Sequence, residues 1–198
     1  IPLMVAWPGV GPGASQALTT SVDVFATLAA IFDIEPRHRT HGRSLIPVFE
    51  GAAAKVRDWA LTGVWGREVH VIGGDMKYAR APAAKNEPLS MWSNRWSTMP
   101  VAGYHQLRLP RPDDRAYLDR MPGSKVPVIR QPFVAGDLLP FWAAGGFSGN
   151  HLYDLRNDPD EDENRAGERG ERDAADLLFQ ALKEVDAPDD QFARLGLG

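Results

Sequence analysis

Cysteine is absent from the 198 residues. That excludes disulfide frameworks, cysteine zinc sites and thiol nucleophiles. No apolar run approaches about 18 residues, so no membrane-spanning helix is encoded. A basic-then-apolar leader is missing too, so no signal peptide is visible; together with the lack of cysteine this favours a cytoplasmic location. Positive charge is not in excess. The 22 Lys and Arg face 26 Asp and Glu, for a formal net charge of −4, which argues against nucleic acid as a partner. What remains is the balance of a soluble globular chain, 43% hydrophobic and 24% charged. One domain with a smaller annex is expected, burying roughly 70% of the unfolded surface.

The chain opens on Ile1-Pro2-Leu3-Met4-Val5-Ala6-Trp7, an apolar, strand-like run where most termini are polar and frayed. It reads as the downstream part of a longer protein that begins at a buried strand; a trimmed chain or a processed leader is the alternative. Pro8-Gly9 closes that strand. Thr20 or Ser21 is a helix N-cap, with Asp23 in the first turn. Val22, Phe25, Leu28, Ala29 and Phe32 then recur at helical spacing and predict one buried apolar stripe. Pro36 ends the helix. Strand, loop and helix in this order make one crossover unit of an α/β protein.

Shorter strands follow at 59–65, 68–72 and 76–80, the last two joined by a hairpin turn at Gly73-Gly74-Asp75. Residues 81–147 hold most of the sixteen prolines and have weak periodicity, so an insertion of short strands or turns is expected. Residues 150–155 return to strand. Ala174, Leu177, Leu178, Ala181, Leu182 and Val185 mark one face of a final helix. Residues 192–198 are expected as a loose tail.

Several of these pieces, in order, resemble the carboxy-terminal part of the sulfatase family, within the alkaline-phosphatase-like superfamily. Ile1-Pro2-Leu3-Met4-Val5 to Trp7-Pro8-Gly9 looks like that family's late central strand. Ser21-Val22-Asp23-Val24-Phe25-Ala26-Thr27-Leu28 is similar to its Val-Asp-Leu-x-Pro-Thr-Leu helix start, with Ala26 in the place of proline. His41-Gly42-Arg43-Ser44-Leu45-Ile46-Pro47 resembles an Asp-Gly-Arg-Ser-Leu-x-Pro segment, with His41 where an acid is common. Met76-Lys77-Tyr78 resembles a Lys-Tyr strand. Leu152-Tyr153-Asp154-Leu155, then Asn157-Asp158-Pro159-Asp160-Glu161 and Asn164, resemble the signature before the last helix. The insertion at 81–147 is not covered.

The resemblance implies an α/β fold: the end of a large mixed sheet (strand plus helix), then a small antiparallel sheet packed by a final helix. Residues 1–57 would close the core domain. Residues 58–198 would form a C-terminal α+β subdomain carrying the insertion at about 81–147. The implied chemistry is sulfuric ester hydrolysis of a small anionic substrate, with phosphate or phosphonate esters as the near alternative. In that family a formylglycine and a calcium-type divalent ion offset the negative charge of the ester as its bond breaks. Neither belongs to this chain: no Cys/Ser-x-Pro-x-Arg motif occurs in it. Both are expected in an N-terminal half, which is the implied partner, and this chain alone is expected to be inactive. No nucleic acid or membrane partner is implied. A self-standing binding or structural domain, or an inactive relative that keeps both halves, are the competing readings.

Few side chains stand out as functional. The acidic run from Asp158 fails as a calcium loop, since its sixth and twelfth places hold Glu163 and Arg169. It reads as a solvated turn. Asp23 reads as structural, Arg43 and Ser44 as backbone-binding or bridging, and Lys77 as a solvated or paired strand residue. None of His38, His41, His70, His105 and His151 has metal-ligand spacing. Trp92, Arg95, Trp96 and His105 combine aromatic and cationic groups in the insertion, which suits an anionic, ring-containing substrate. They are the substrate-pocket candidates. No catalytic residue and no metal ligand is assigned.

Overall fold

A computed structural model describes residues 3–83, 85–94, 116–134, 137, 139, 142, 143 and 146–197. The chain divides into two compact units, Ile1–Ala60 and Leu61–Gly198.

In the first unit, helix α1 spans Ser21–Ile31. Thr20 caps it, and the Asp23 carboxylate accepts from the Thr20 backbone N–H at 2.8 Å and its hydroxyl at 3.2 Å. This reciprocal arrangement satisfies donors that a helix start leaves open. A one-turn helix α2 (Ile46–Phe49) follows, with proline early in the turn. Residues 2–7 were expected as a buried strand. The described part, 3–7, is not one: it pairs with no strand among the described residues, and Leu3, Met4 and Val5 are exposed. The exposed backbone of this segment is left to water, while the Trp7 carbonyl accepts from Val10 N–H at 3.2 Å and the Trp7 ring lies 5.4 Å from that of Phe49.

The expected apolar stripe of α1 is corrected in the same way. Ala29 is buried, but Val22, Phe25, Leu28 and Phe32 are 46%, 45%, 48% and 68% exposed. The buried side of the helix carries Asp23 and Thr27 instead. Hydrogen bonding draws that side inward, because the segment packed on it presents backbone N–H groups. On the apolar side the Phe25 ring stacks on His38, with 6.2 Å between ring centroids, and the rest of the stripe is left largely exposed.

The second unit holds two sheets. The first has the order β1 (Trp59–Gly63), β2 (Val69–Gly73), β3 (Met76–Arg80) and β7 (His151–Asp154). Strand β1 runs across the division between the units. The β2–β3 hairpin turns through Gly74 and Asp75, with Gly74 at φ +58°, where a side chain would be strained. The antiparallel register places Val71, Tyr78 and Leu152 in one row. Helix α3 (Gly170–Glu184) covers that row with Ala174, Leu178, Ala181 and Leu182. Val71, Tyr78, Ala174, Leu178 and Ala181 are all fully buried. This is the core, and each large apolar side chain in it contributes about 1.5–3 kcal/mol. Of the six residues of the expected helical face, Leu177 and Val185 are half-buried.

The second sheet comes from residues expected to be an insertion. Its order is β4 (Leu89–Ser93), β6 (Pro127–Phe133), β5 (Tyr117–Arg120), all antiparallel. Among the described residues β5 reaches only as far as Arg130, so Pro132, which has no N–H to offer, has a described strand neighbour on one side alone. The loose tail expected at 192–198 is likewise corrected. Residues 189–195 form helix α4 (Asp189–Leu195), and Arg194 and Leu195 are buried. Asp189 and Asp190 favour its positive end, and Gly196 in the left-handed region stops it.

Candidate functional site

From α1 onward, the pieces of the sulfatase-like pattern that the structure describes are engaged in holding the chain together. In the first unit Asp23 is fully buried. Beyond the cap, its carboxylate accepts from the Arg43 backbone N–H at 2.8 Å and Arg57 Nε at 3.1 Å, and it pairs with Arg57 Nη2. Thr27 Oγ1 donates to the Asp23 carbonyl at 2.6 Å and accepts from Leu45 N–H at 3.0 Å. Arg43 Nη1 donates to the Val56 carbonyl at 2.7 Å. Gly42 lies so close to α1 that a Cβ there would stand 2.2 Å from the Val22 carbonyl oxygen. The helix motif and the Gly-Arg-Ser motif are therefore the two halves of one buried polar clamp. Burial pushes the Asp23 pKa up, but the N–H groups of Arg43 and Thr20 and the Arg57 guanidinium outweigh it. The carboxyl ends below its ordinary value of 3.8.

The second unit repeats the theme. Tyr78, of the Lys-Tyr pair, is fully buried and its hydroxyl donates to Glu171 Oε1 at 3.0 Å. Glu171 also accepts from Asn150 Nδ2 at 2.7 Å and Gly167 N–H at 2.6 Å. Lys77 pairs with Glu161. Asn164 Oδ1 accepts from the backbone of Leu152 and Ala166, both at 3.0 Å. Asp158 accepts from Asp162 and Glu163 N–H, both at 3.0 Å, which makes its acidic run a self-capped turn.

Of the substrate-pocket candidates, Arg95, Trp96 and His105 lie outside the described residues. Trp92 is on β4, and the Arg130 guanidinium lies 4.9 Å from its ring centroid. Burial works against the Arg130 charge, yet bonds to Asp190 and Asp119 hold its pKa above the ordinary value. Arg130 Nε also donates to Ser90 Oγ at 3.2 Å. Trp92 is thus one wall of a polar cluster linking β4, β6 and α4.

Two arrangements escaped sequence reasoning. Ser148 Oγ stands 2.7 Å from His151 Nε2, and His151 Nδ1 stands 2.9 Å from the Tyr153 hydroxyl. A hydroxyl, an imidazole and an orienting group in line have the order of a nucleophile and its base. The third member is a phenol, however, and the Ser148–His151 contact is exposed to solvent. The second arrangement is a cavity around the buried Arg194, on a helix where a loose tail was expected. Its sequence signal was an acidic pair after Pro188 and a glycine seven residues later. Among the described residues no three His, Asp or Glu side chains converge to hold a metal ion. No helix among them is long and apolar enough to cross a membrane.

No protein-family model matches the chain, and no curated protein does. Among solved structures it is similar to a Bacteroides thetaiotaomicron protein, BT33336S-sulf, described with a core genetic locus for the metabolism of multiple glycosaminoglycans. The likeness is at 20% identity and a TM-score of 0.47, over 88% of this chain and 27% of that one. The chain spans about a quarter of that protein's length.

Proposed function

We propose that this chain is the carboxy-terminal region of a sulfatase-family hydrolase. In this reading it completes the core of a catalytic half and shapes access to an anionic ester, while the nucleophile and metal ligands come from that half. One observation carries the proposal. Helix α1 has its polar side locked by the Asp23–Arg57 clamp, while Val22, Phe25, Leu28 and Phe32 stand exposed on the other. A helix that is apolar on its outer side needs a covering surface, and the missing strands of a large sheet would supply one. Leu3, Met4 and Val5, exposed and unpaired, fit the same sheet.

The test is to express the chain with the upstream part of its gene and to assay 4-nitrophenyl sulfate and 4-nitrophenyl phosphate. The longer protein is expected to cleave the sulfate ester, and the 198-residue chain to cleave neither. Preference for the phosphate ester would move the assignment to another branch of the superfamily. A start codon just upstream of Ile1, with a monodisperse and sharply melting chain, would overturn it. A self-standing binding domain would then take its place, and the cavity around Arg194 is the observation on that side.

A further inference from the structure

The second unit carries a cavity of about 270 Å³, open to solvent on one side, whose walls include Trp65, Leu89, Trp92, Ser90, Gln191 and Arg194. Mostly apolar walls with a few polar groups are the makeup of a small-molecule site. The Trp65 indole N–H donates to the Ser90 carbonyl at 3.0 Å, which fixes that ring in place. Arg194 is only 2% exposed. Its guanidinium has five N–H groups to satisfy. Nε donates to Gln191 Oε1 at 3.2 Å, and Nη1 to the Arg67 carbonyl at 3.1 Å and Asn86 Oδ1 at 2.8 Å. Nη2 meets no acceptor among the described residues, and the Arg194 side chain lines the cavity. The acids that bear on the site are engaged elsewhere: Glu68 with Arg67 at 3.2 Å, and Asp190 with Arg130. Burial lowers the Arg194 pKa to about 10, with Glu68 offsetting only part of it. A buried cation bound only by neutral groups is an arrangement that an incoming anion improves.

We propose that this cavity binds a small planar ring bearing one carboxylate or comparable anionic group, with the anion on Arg194 Nη2 and the ring between the apolar walls. The site lies wholly within this chain and does not depend on the sulfatase reading. Benzoate is the probe and benzamide, of the same shape but neutral, its control. The readout is the melting temperature of the longest soluble form of the protein at matched ionic strength.

Benzoate is expected to raise the melting temperature and benzamide to leave it unchanged. Two variants separate this site from any other anion site in the protein. Gln191→Glu keeps an acceptor for Nε and supplies a fixed counter-ion, so it should raise the melting temperature without ligand and weaken benzoate by about tenfold or more. Val64 is 58% exposed and lines the cavity, so Val64→Trp should close it without touching the partners of Arg194. Equal shifts with benzoate and benzamide, no shift with benzoate, or a full benzoate shift in both variants would each overturn the proposal.

Discussion

Replacing Asp23 by Asn is the sharpest test of the clamp in the first unit. The Asp23 carboxylate receives five hydrogen bonds, from Thr20 N–H and hydroxyl, Arg43 N–H, and two nitrogens of Arg57. Asn offers one acceptor oxygen and sets an NH2 group against the remaining donors. It also removes the negative charge that α1 sets against Arg57, whose side chain is itself 6% exposed. Breaking a buried pair from one side costs about 3–5 kcal/mol, because the surviving charge is stranded. Hydrogen exchange resolved to peptides of α1, measured on the longest soluble form of the protein, should show protection falling by that amount. The double substitution Asp23→Leu with Arg57→Met removes both charges and should recover much of the loss. Asp58→Asn, which breaks the exposed pair with Lys55, serves as the control and should leave protection unchanged. A loss below about 1 kcal/mol for Asp23→Asn, the range of surface pairs, would refute the clamp as a source of stability.

Acid should act on the same group. Because the Asp23 pKa is depressed in the folded chain, the unfolded chain takes up its proton first as pH falls. Its stabilisation is complete above the ordinary carboxylate range and is lost as pH drops through the lower folded value; Glu171, also depressed, adds in the same direction. Urea midpoints from pH 6 down to 3 should therefore fall, and less steeply in Asp23→Asn. Gly42→Ala should lower the melting temperature of the first unit, since its Cβ has no room beside the Val22 carbonyl. Tyr78→Phe strands Glu171 and Arg80 of one partner and should cost about 1–2 kcal/mol by urea unfolding. The isolated chain should aggregate on sizing, and Phe25→Gln with Phe32→Gln should improve its solubility while weakening capture by the upstream half; unchanged sizing would count against the covered-face argument.

The local elements were legible in the amino-acid order wherever the rule involved is itself local. Thr20 and Asp23 cap α1, the Gly74 turn sets the β2–β3 register, and the spacing from Ala174 to Leu182 marks the buried side of α3. Each depends on neighbours a few residues away, so each can be read from a short window. Helix α4 was missed, since residues 192–198 were expected as a loose tail, although Asp189, Asp190 and Gly196 carry the same kind of local signal. The tertiary structure alone decided which side of α1 is inside. Periodicity marks the apolar side as the one to bury, but burial needs a surface, and the described chain presents backbone donors to Asp23 and Thr27 instead. It alone decided that Arg57, thirty-four residues away, closes on Asp23. It alone placed Arg194 against Asn86 and the Arg67 carbonyl, because long-range contacts arise from how sheets and helices fit together and leave no spacing in the chain to be read.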